Sequence, residues 1–326
     1  MVRVSIGIKA LNEEANIAAS IASALAALGD LDGEVILADC GSSDRTVEIA
    51  RGYPVRIVQL LRAEDRGCGA GAQLAFQFAQ GDFFYLLDGD MTLDPAFVRA
   101  GIDYLESHPE TAGVGGHVTE RNLVGEEFQV RADKARSVAQ RVDMLECGGL
   151  YRSAAIRSVG HFADRNLHAF EEFELGSRLA AGGWRLARID RPGVNHFGHP
   201  VGGYRLLWRR LRSGYSDGLG EVLRAALAGP HLTVVLTRLR TLQMSFVVFG
   251  WWIALLACLI MGQFWAILAL IAVPLGYLIL RRRSLRLGLY SFVTCNVLTI
   301  GLVGGLFRRR VPPGEPLAAA DVTRPC

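Results

Sequence analysis

Asp88 and Asp90 close an apolar run, FFYLLDGDMTLDP, and their type and spacing make them the plainest candidates for chemistry in this 326-residue chain. Alternate residues of a strand share a side, so the two carboxylates can converge across Gly89. Paired carboxylates at an exposed strand end suit Mg2+ or Mn2+, with substrate phosphates completing the metal's shell. The same triplet also suits a turn in which both aspartates accept hydrogen bonds from local backbone amides. Two more polar clusters, Lys9–Glu14 and Asp39–Asp44, follow apolar runs in the same way. Farther on, Glu171 and Glu172 are adjacent at the start of a helical pattern, so they cannot both face one site. Acidic residues there also simply favour a helix N-terminus.

The elements that must position these groups alternate. Val2–Lys9, Glu34–Asp39, Val55–Leu60 and Phe83–Asp88 read as strands. Glu13–Leu28, Asp44–Arg51 and Ala70–Ala79 read as helices, the second capped by Ser43 or Asp44. Near-continuous apolar strands in βαβα order imply an α/β fold with a mainly parallel sheet covered by helices on both faces. Ligands of such sheets collect at the carboxyl ends of the strands, where all three polar clusters lie. Beyond Asp90 the spacing predicts a helix at Pro95–Ser107 and a strand at Val114–Thr119. Loop, short helix and turn follow over Gly148–Phe162, then a helix at Ala169–Ala181 and an extended Trp184–Ile189. Residues 1–200 thus form the first domain.

Composition changes in the last third. Tyr204–Ser216 places Leu207, Trp208, Leu211 and Tyr215 on one helical face and Arg205, Arg209 and Arg212 on another. This suits either an anionic lipid surface or a solvated helix packed on the domain, and the apolar runs that follow favour lipid. Thr241–Leu280 carries no charged residue and is about twice the length of one span, with Gly262-Gln263 as its turn. Leu287–Phe307 is a third candidate span, with Ser291, Thr294, Asn296, Thr299 and four glycines in it. Two crossings return Arg281–Arg286 to the cytosolic side, whereas a complete third would place Arg308–Arg310 outside, against the positive-inside rule. The division expected is interfacial helices at 201–240, two or three transmembrane helices at 241–307, and a tail at 308–326.

Composition also narrows the chemistry. Six scattered cysteines without a CxxC pair suggest neither a disulfide framework nor a zinc site. A net charge of +3 gives no reason to expect a nucleic-acid partner. MVRVSIGIK reads as a strand rather than a signal peptide, which keeps the first domain in the cytosol and makes the chain a multi-pass protein of the inner cell membrane.

Five stretches, SIGIKALNEEANI, EVILADCGSSDRTVEIA, RGCGAGAQLAFQFAQGDFFYLLDGDMTLDP, ECGGLYRSAAIRSVGHF and FEEFELGSRLAAGGWRLARI, occur in order over roughly residues 2–200. Together they resemble inverting family 2 glycosyltransferases of GT-A fold. The resemblance implies that Asp39 bonds the nucleotide base. The backbone of Ala10–Glu13, including Asn12, and the side chain of Glu13 or Glu14 would lie near base or ribose. Gly41, Ser42, Arg66, Gly69, Gly149 and Glu171 would line the donor and acceptor sites. Asp88 would sit near ribose and metal, Asp90 would ligate the metal, and His196 would be a further metal or diphosphate ligand, with His199 a weaker candidate. Glu172 falls where the family places its general base, although Asp is usual there. Lys9 stands where Pro is common, and Cys68 where a basic residue is frequent.

The function implied is metal-dependent inverting transfer of a sugar from a nucleotide-diphosphate donor to a lipid-linked or envelope polysaccharide acceptor, at a membrane and with Mn2+ or Mg2+. The rival reading is an inactive nucleotide-sugar-binding scaffold of a glycan assembly complex. Absence of a Q-x-x-R-W motif favours single addition over polymerisation. The first strand lacks the G-x-G-x-R loop of a nucleotidyltransferase, and the spans lack the charges of a transporter.

Overall fold

The computed structural model describes residues 3–121, 140–198, 203–227 and 229–323. They fall into two compact units. The first holds a ten-stranded sheet. Its parallel half is built from β1 (Val4–Ala10), β2 (Gly33–Asp39), β3 (Arg56–Leu60) and β4 (Phe83–Asp88), with α1 (Ile17–Leu28), α2 (Thr46–Ala50) and α3 (Cys68–Phe78) between them. β5 (Met91–Leu93), α4 (Phe97–Ser107), β6 (Thr111–Glu120), β7 (Gln140–Val142), β8 (Gly149–Arg152), α5 (Ser153–Ser158), α6 (Glu171–Ala181) and β9 (Arg185–His196) complete the domain. With β10 (Ala319–Asp321) from the end of the chain, the strand order is β10-β3-β2-β1-β4-β8-β6-β9-β5, with β7 beside β9.

Strand periodicity explains the two-sided core. Tyr85 and Leu87 face the layer of Ile17, Ile21 and Phe97, whereas Phe84 and Leu86 face Leu74, Tyr151, Phe162 and Leu175. Both faces are covered, so both sets are apolar. Gly7 allows α3 to approach β1, since a Cβ there would lie 2.7 Å from that of Ala75.

The structure differs from the sequence reading in places. Glu13–Asn16 is a turn, and α1 begins only at Ile17; the amides of Glu13 and Glu14 are held by the side chains of Thr46 and Asp44. Gly149–Arg152, expected as loop, is a strand antiparallel to β4, since a buried edge beside Phe83–Leu86 recruits it. The extended segment expected at Trp184–Ile189 continues to His196.

Most unlike a loose extension is the tail. β10 (Ala319–Asp321) pairs antiparallel with β3, and Leu317 is buried, exchanging two hydrogen bonds with Gln77 at 2.8 and 3.1 Å. Upstream, Arg310 pairs with Asp164 at 2.8 Å, Val311 exchanges backbone bonds with the Asn166 amide, and Arg165 donates to the carbonyls of Glu315 and Pro316.

The second unit is helical. It comprises α7 (Gly203–Arg212), α8 (Gly218–Leu227), α9 (Leu232–Arg238), α10 (Arg240–Ile260), α11 (Phe264–Arg282) and α12 (Leu285–Phe307). On α7 Gly203, Leu206 and Leu207 are buried, and Trp208 joins Tyr204, Arg205, Arg209 and Arg212 on the exposed face, correcting the expected grouping of Trp208 with Leu207. Arg212 lies over the Trp208 ring, 5.0 Å from its centre. Gly214 in a left-handed conformation ends this helical stretch. The last three helices are long and apolar enough to cross a membrane.

Because Leu317 fills the core below α3, Leu317→Ala is expected to cost about 2–5 kcal/mol of stability. A lowered midpoint in thermal unfolding of the detergent-solubilised protein is the expected readout; an unchanged midpoint would show the tail to be dispensable.

Candidate active site

The loops leaving β1 and β2 are fastened to each other. Asn12 takes a left-handed conformation, which asparagine tolerates better than most residues. Its amide donates to Ser42 Oγ and its Oδ1 accepts from the Ser43 amide, both at 2.8 Å. Glu13 donates its amide to Thr46 Oγ1 at 2.8 Å, and Glu14 to Asp44 Oδ2 at 3.0 Å. Two of the expected motif stretches therefore act as one clasp.

Beneath this clasp Asp39 is fully buried. Its Oδ2 accepts from the amides of Gly41 and Ser42, each at 3.0 Å, and from Gln59 Nε2 at 2.8 Å. Its Oδ1 is buried with no hydrogen-bond partner among the described residues. Leaving a buried carboxylate oxygen unpaired costs on the order of 1–3 kcal/mol or more, so this atom is poised for a donor from outside. Gly41 has φ +84°, and Arg66 donates to its carbonyl at 2.7 Å. Ala10 ends β1; Gly89 packs on it and on Glu13, whose Cγ would be 2.9 Å from a Cβ at position 89. Burial pushes the Glu13 carboxyl up to about 7; the hydrogen bond from Asn16 opposes this, and Asp90, Asp88 and Asp44 add to it.

Asp88 and Asp90 have different partners. β1 and β4 align Lys9 with Asp88, and the Lys9 ammonium lies 3.2 Å from Asp88 Oδ1 and 2.6 Å from Glu171 Oε1. Burial alone would lower the Lys9 pKa, but Asp88, Glu171 and Glu172 more than offset it and hold the ammonium well above its ordinary range. Phe170, left-handed at φ +66°, turns the chain into α6 so that Glu171 points at Lys9 and is 5% exposed. Glu172 is half-buried. Its carboxyl is raised to about 8 by burial and by the charge of Glu171, with Lys9 pulling the other way.

Asp90 meets His196. β5 runs antiparallel to β9 with Met91 opposite His196, which sets Asp90 Oδ2 at 3.3 Å from His196 Nε2. Glu120, opposite His196 in the β6–β9 ladder, accepts at 2.6 Å from Nδ1. Burial would lower the His196 pKa, yet the bonds to Asp90 and Glu120 raise it to about 9. A carboxylate on the far nitrogen of a histidine is the arrangement that orients imidazole ligands toward metals.

Among the described residues no three His, Cys, Asp or Glu side chains are grouped to hold a metal ion alone. Asp90 and His196 nevertheless fit a hard-to-borderline divalent cation whose other ligands come from substrate phosphate. Gly69 opens α3 and donates its amide to the Leu167 carbonyl at 2.9 Å. Gly149 pairs with Leu86 of β4, and a Cβ there would lie against Leu145. His199 lies outside the described residues.

Residues 5–164 match the family model described as Glycosyl transferase family 2. These residues are a glycosyltransferase family 2 domain. Over 114 residues the chain is 27% identical to the dolichol-phosphate mannosyltransferase of Pyrococcus furiosus, a match covering 34% of this chain and about a third (32%) of that relative. Among solved structures, a mannosyltransferase from Pyrobaculum calidifontis in complex with GDP-Man and Mn2+ superposes with a TM-score of 0.63 at 18% identity. That likeness covers 94% of this chain and 87% of the other, and it establishes the GT-A fold expected from the sequence. A fainter likeness to S. aureus TarS, with a TM-score of 0.49 at 17% identity, covers 70% of this chain and 44% of that one.

Around this family 2 domain the roles of three groups could not be read in the sequence. Lys9 stood out only as an unusual residue at its position, and Glu120 and Gln59 carried no local signal. Glu120→Gln should keep the shape around His196 while loosening its orientation. Mn2+-dependent binding of a nucleoside diphosphate, measured by calorimetry, is expected to weaken about 10–100-fold. Unaltered binding would remove His196 from the metal site.

Proposed function

We propose that the protein is a metal-dependent inverting glycosyltransferase that moves a sugar from a nucleotide-diphosphate donor to a lipid-linked acceptor. The observation that carries this reading is the Oδ1 of Asp39, buried without a partner among the described residues at the strand ends where two family motifs meet. A nucleobase N–H supplies the donor that this oxygen lacks. The clasp of Asn12, Ser42 and Ser43 and the carboxyl of Glu13 then lie toward the ribose. Asp90 and His196, with Asp88 beside them, would hold Mn2+ or Mg2+, which when bound offsets charge on the departing diphosphate. GDP-mannose is the first donor to test and a polyprenyl-type phosphate the first acceptor, because the named relatives are mannosyltransferases and one is a dolichol-phosphate enzyme.

The transfer is a single displacement. The acceptor oxygen, a sugar hydroxyl or the P–OH of a lipid phosphate monoanion, bonds the anomeric carbon as the bond to the diphosphate oxygen breaks, and its proton passes to Glu172. Glu171 is engaged by Lys9, which leaves Glu172 as the base. A pKa near 8 makes it stronger than an ordinary carboxylate while a fraction remains ionised at neutral pH. The apolar helices and the exposed Trp208–Arg212 face suit an acceptor and lipids at a cytosolic membrane surface.

The deciding experiment gives the detergent-solubilised protein Mn2+ and a panel of nucleotide sugars, and reads released nucleoside diphosphate and glycosylated lipid. Glu172→Gln is expected to lower transfer by about 10²–10⁴ with donor binding retained, and Asp90→Asn to weaken both. Wild-type rates in both variants would refute the assignment. Donor binding without turnover in the native protein would favour the scaffold reading.

The pH dependence has a definite sign. Glu172 must be ionised to accept a proton, so kcat is expected to rise between about pH 7 and 9. Lys9 favours the ionised form, so Lys9→Met should move this rise to higher pH. An unshifted profile in the Lys9 variant would show that the ammonium does not act on Glu172.

A further inference from the structure

The chain leaves the β-sheet after β9 and returns to it at the tail, with the apolar helices α10, α11 and α12 in between. Both flanks belong to one folded unit. β9 is hydrogen bonded to β5, β6 and β7, while β10 pairs with β3 at the opposite edge of the same sheet. The return is fixed at several further points: Arg310 to Asp164, Val311 to Asn166, Arg165 to the Glu315 and Pro316 carbonyls, Gln77 to Leu317, and Arg56 to Asp321 at 3.0 Å. Leu317 is 3% exposed within the core.

A sheet with buried backbone bonds cannot be divided by a bilayer, whose hydrocarbon leaves no partner for stray peptide groups. The chain segment joining two parts of one sheet must therefore cross a membrane an even number of times. Three helices qualify by length and composition, yet three complete crossings would strand Arg310 on the face opposite β3. Zero crossings would leave helices such as α11, in which no residue is buried, without an apolar environment. We infer that the membrane anchor crosses the bilayer twice, and that the third apolar helix is held in the membrane region without traversing it.

The second unit offers the means to hold such a helix. α12 buries Thr299, Gly301, Leu302 and Gly305. Gly301 and Gly305 leave no room for a Cβ against the carbonyls of Ser216 and Asp217, and Gly220 fits against Leu302 in the same way. Just past its end, Arg308 pairs with Asp217 at 2.8 Å, and Arg224 donates to the Arg308 carbonyl. Halfway along, Trp252 donates to Asn296 at 2.8 Å, and nearer its start Arg282 donates to Ser291 at 3.1 Å. Polar side chains that would be costly against lipid are thereby satisfied inside the unit.

The inference does not depend on the proposed activity, and its test reads sidedness rather than turnover. The full chain is expressed in bacteria with a short epitope tag at each end, and tag accessibility to protease is compared in spheroplasts and inverted inner-membrane vesicles. Separately, Gly262→Cys and Ser284→Cys mark the two connections between the apolar helices, scored with an impermeant maleimide against the unsubstituted chain. Both tags are expected to be protected in spheroplasts and cleaved together in inverted vesicles, with the Gly262 connection labelled from outside and the Ser284 connection not. Labelling at Gly262 alone identifies α10 and α11 as the crossing pair; labelling at Ser284 would show that α12 traverses the bilayer and would overturn the inference. Tags on opposite faces, or no connection reachable from outside, would overturn the inference.

Discussion

Negative charge crowded at the carboxyl end of the parallel strands is the constraint around which the first unit is arranged. Asp39, Asp88, Asp90, Glu13, Glu171 and Glu172 all gather near strand ends, and burial makes their mutual repulsion expensive. Each is handled differently. Asp39 is stabilised by two backbone amides and Gln59 on one oxygen; Asp88 and Glu171 share Lys9; Asp90 faces His196. Glu13 and Glu172 respond by holding their protons more tightly than free carboxyls do. A site so charged would repel a diphosphate unless cations intervened; Lys9 and His196 bring positive charge to it, and the divalent ion of the proposed function would add to theirs.

The parallel half of the fold was legible because its strands are buried on both faces and punctuated by short polar turns. A run such as FFYLLD can be read locally, as can the turns that follow β1, β2 and β4. What connects those turns is not local. Lys9 and Glu171 are separated by 162 residues, and Glu120 and His196 by 76. Nothing in their immediate neighbours announces that they meet. Lys9 was visible as an unusual residue without a visible purpose, and its purpose is a partner far along the chain.

The antiparallel half was harder for the same reason. β8 is four residues long and begins with glycine, so neither propensity nor period marks it, and it exists because β4 and β6 need a strand between them. β10 is three residues, Ala319–Asp321, of a kind that ordinarily reads as coil. The helical third was read well in its spans and less well in its surface. Trp208 was placed with Leu207 by period, yet Leu206 and Leu207 are the side chains that pack inward.

The strand at the tail also imposes an order in time. During synthesis the β3 edge, the Gln77 side chain and the Asp164–Asn166 loop must await residues made after the whole helical unit. At about 5–20 residues per second, that wait after β9 emerges lasts roughly 6–24 s. Throughout it the sheet presents an open, unpaired edge, the feature of a nascent chain most prone to association with its neighbours. Membrane insertion of the helices thus falls inside the window when the first unit is incomplete, and the last strand to be made is the one that closes it.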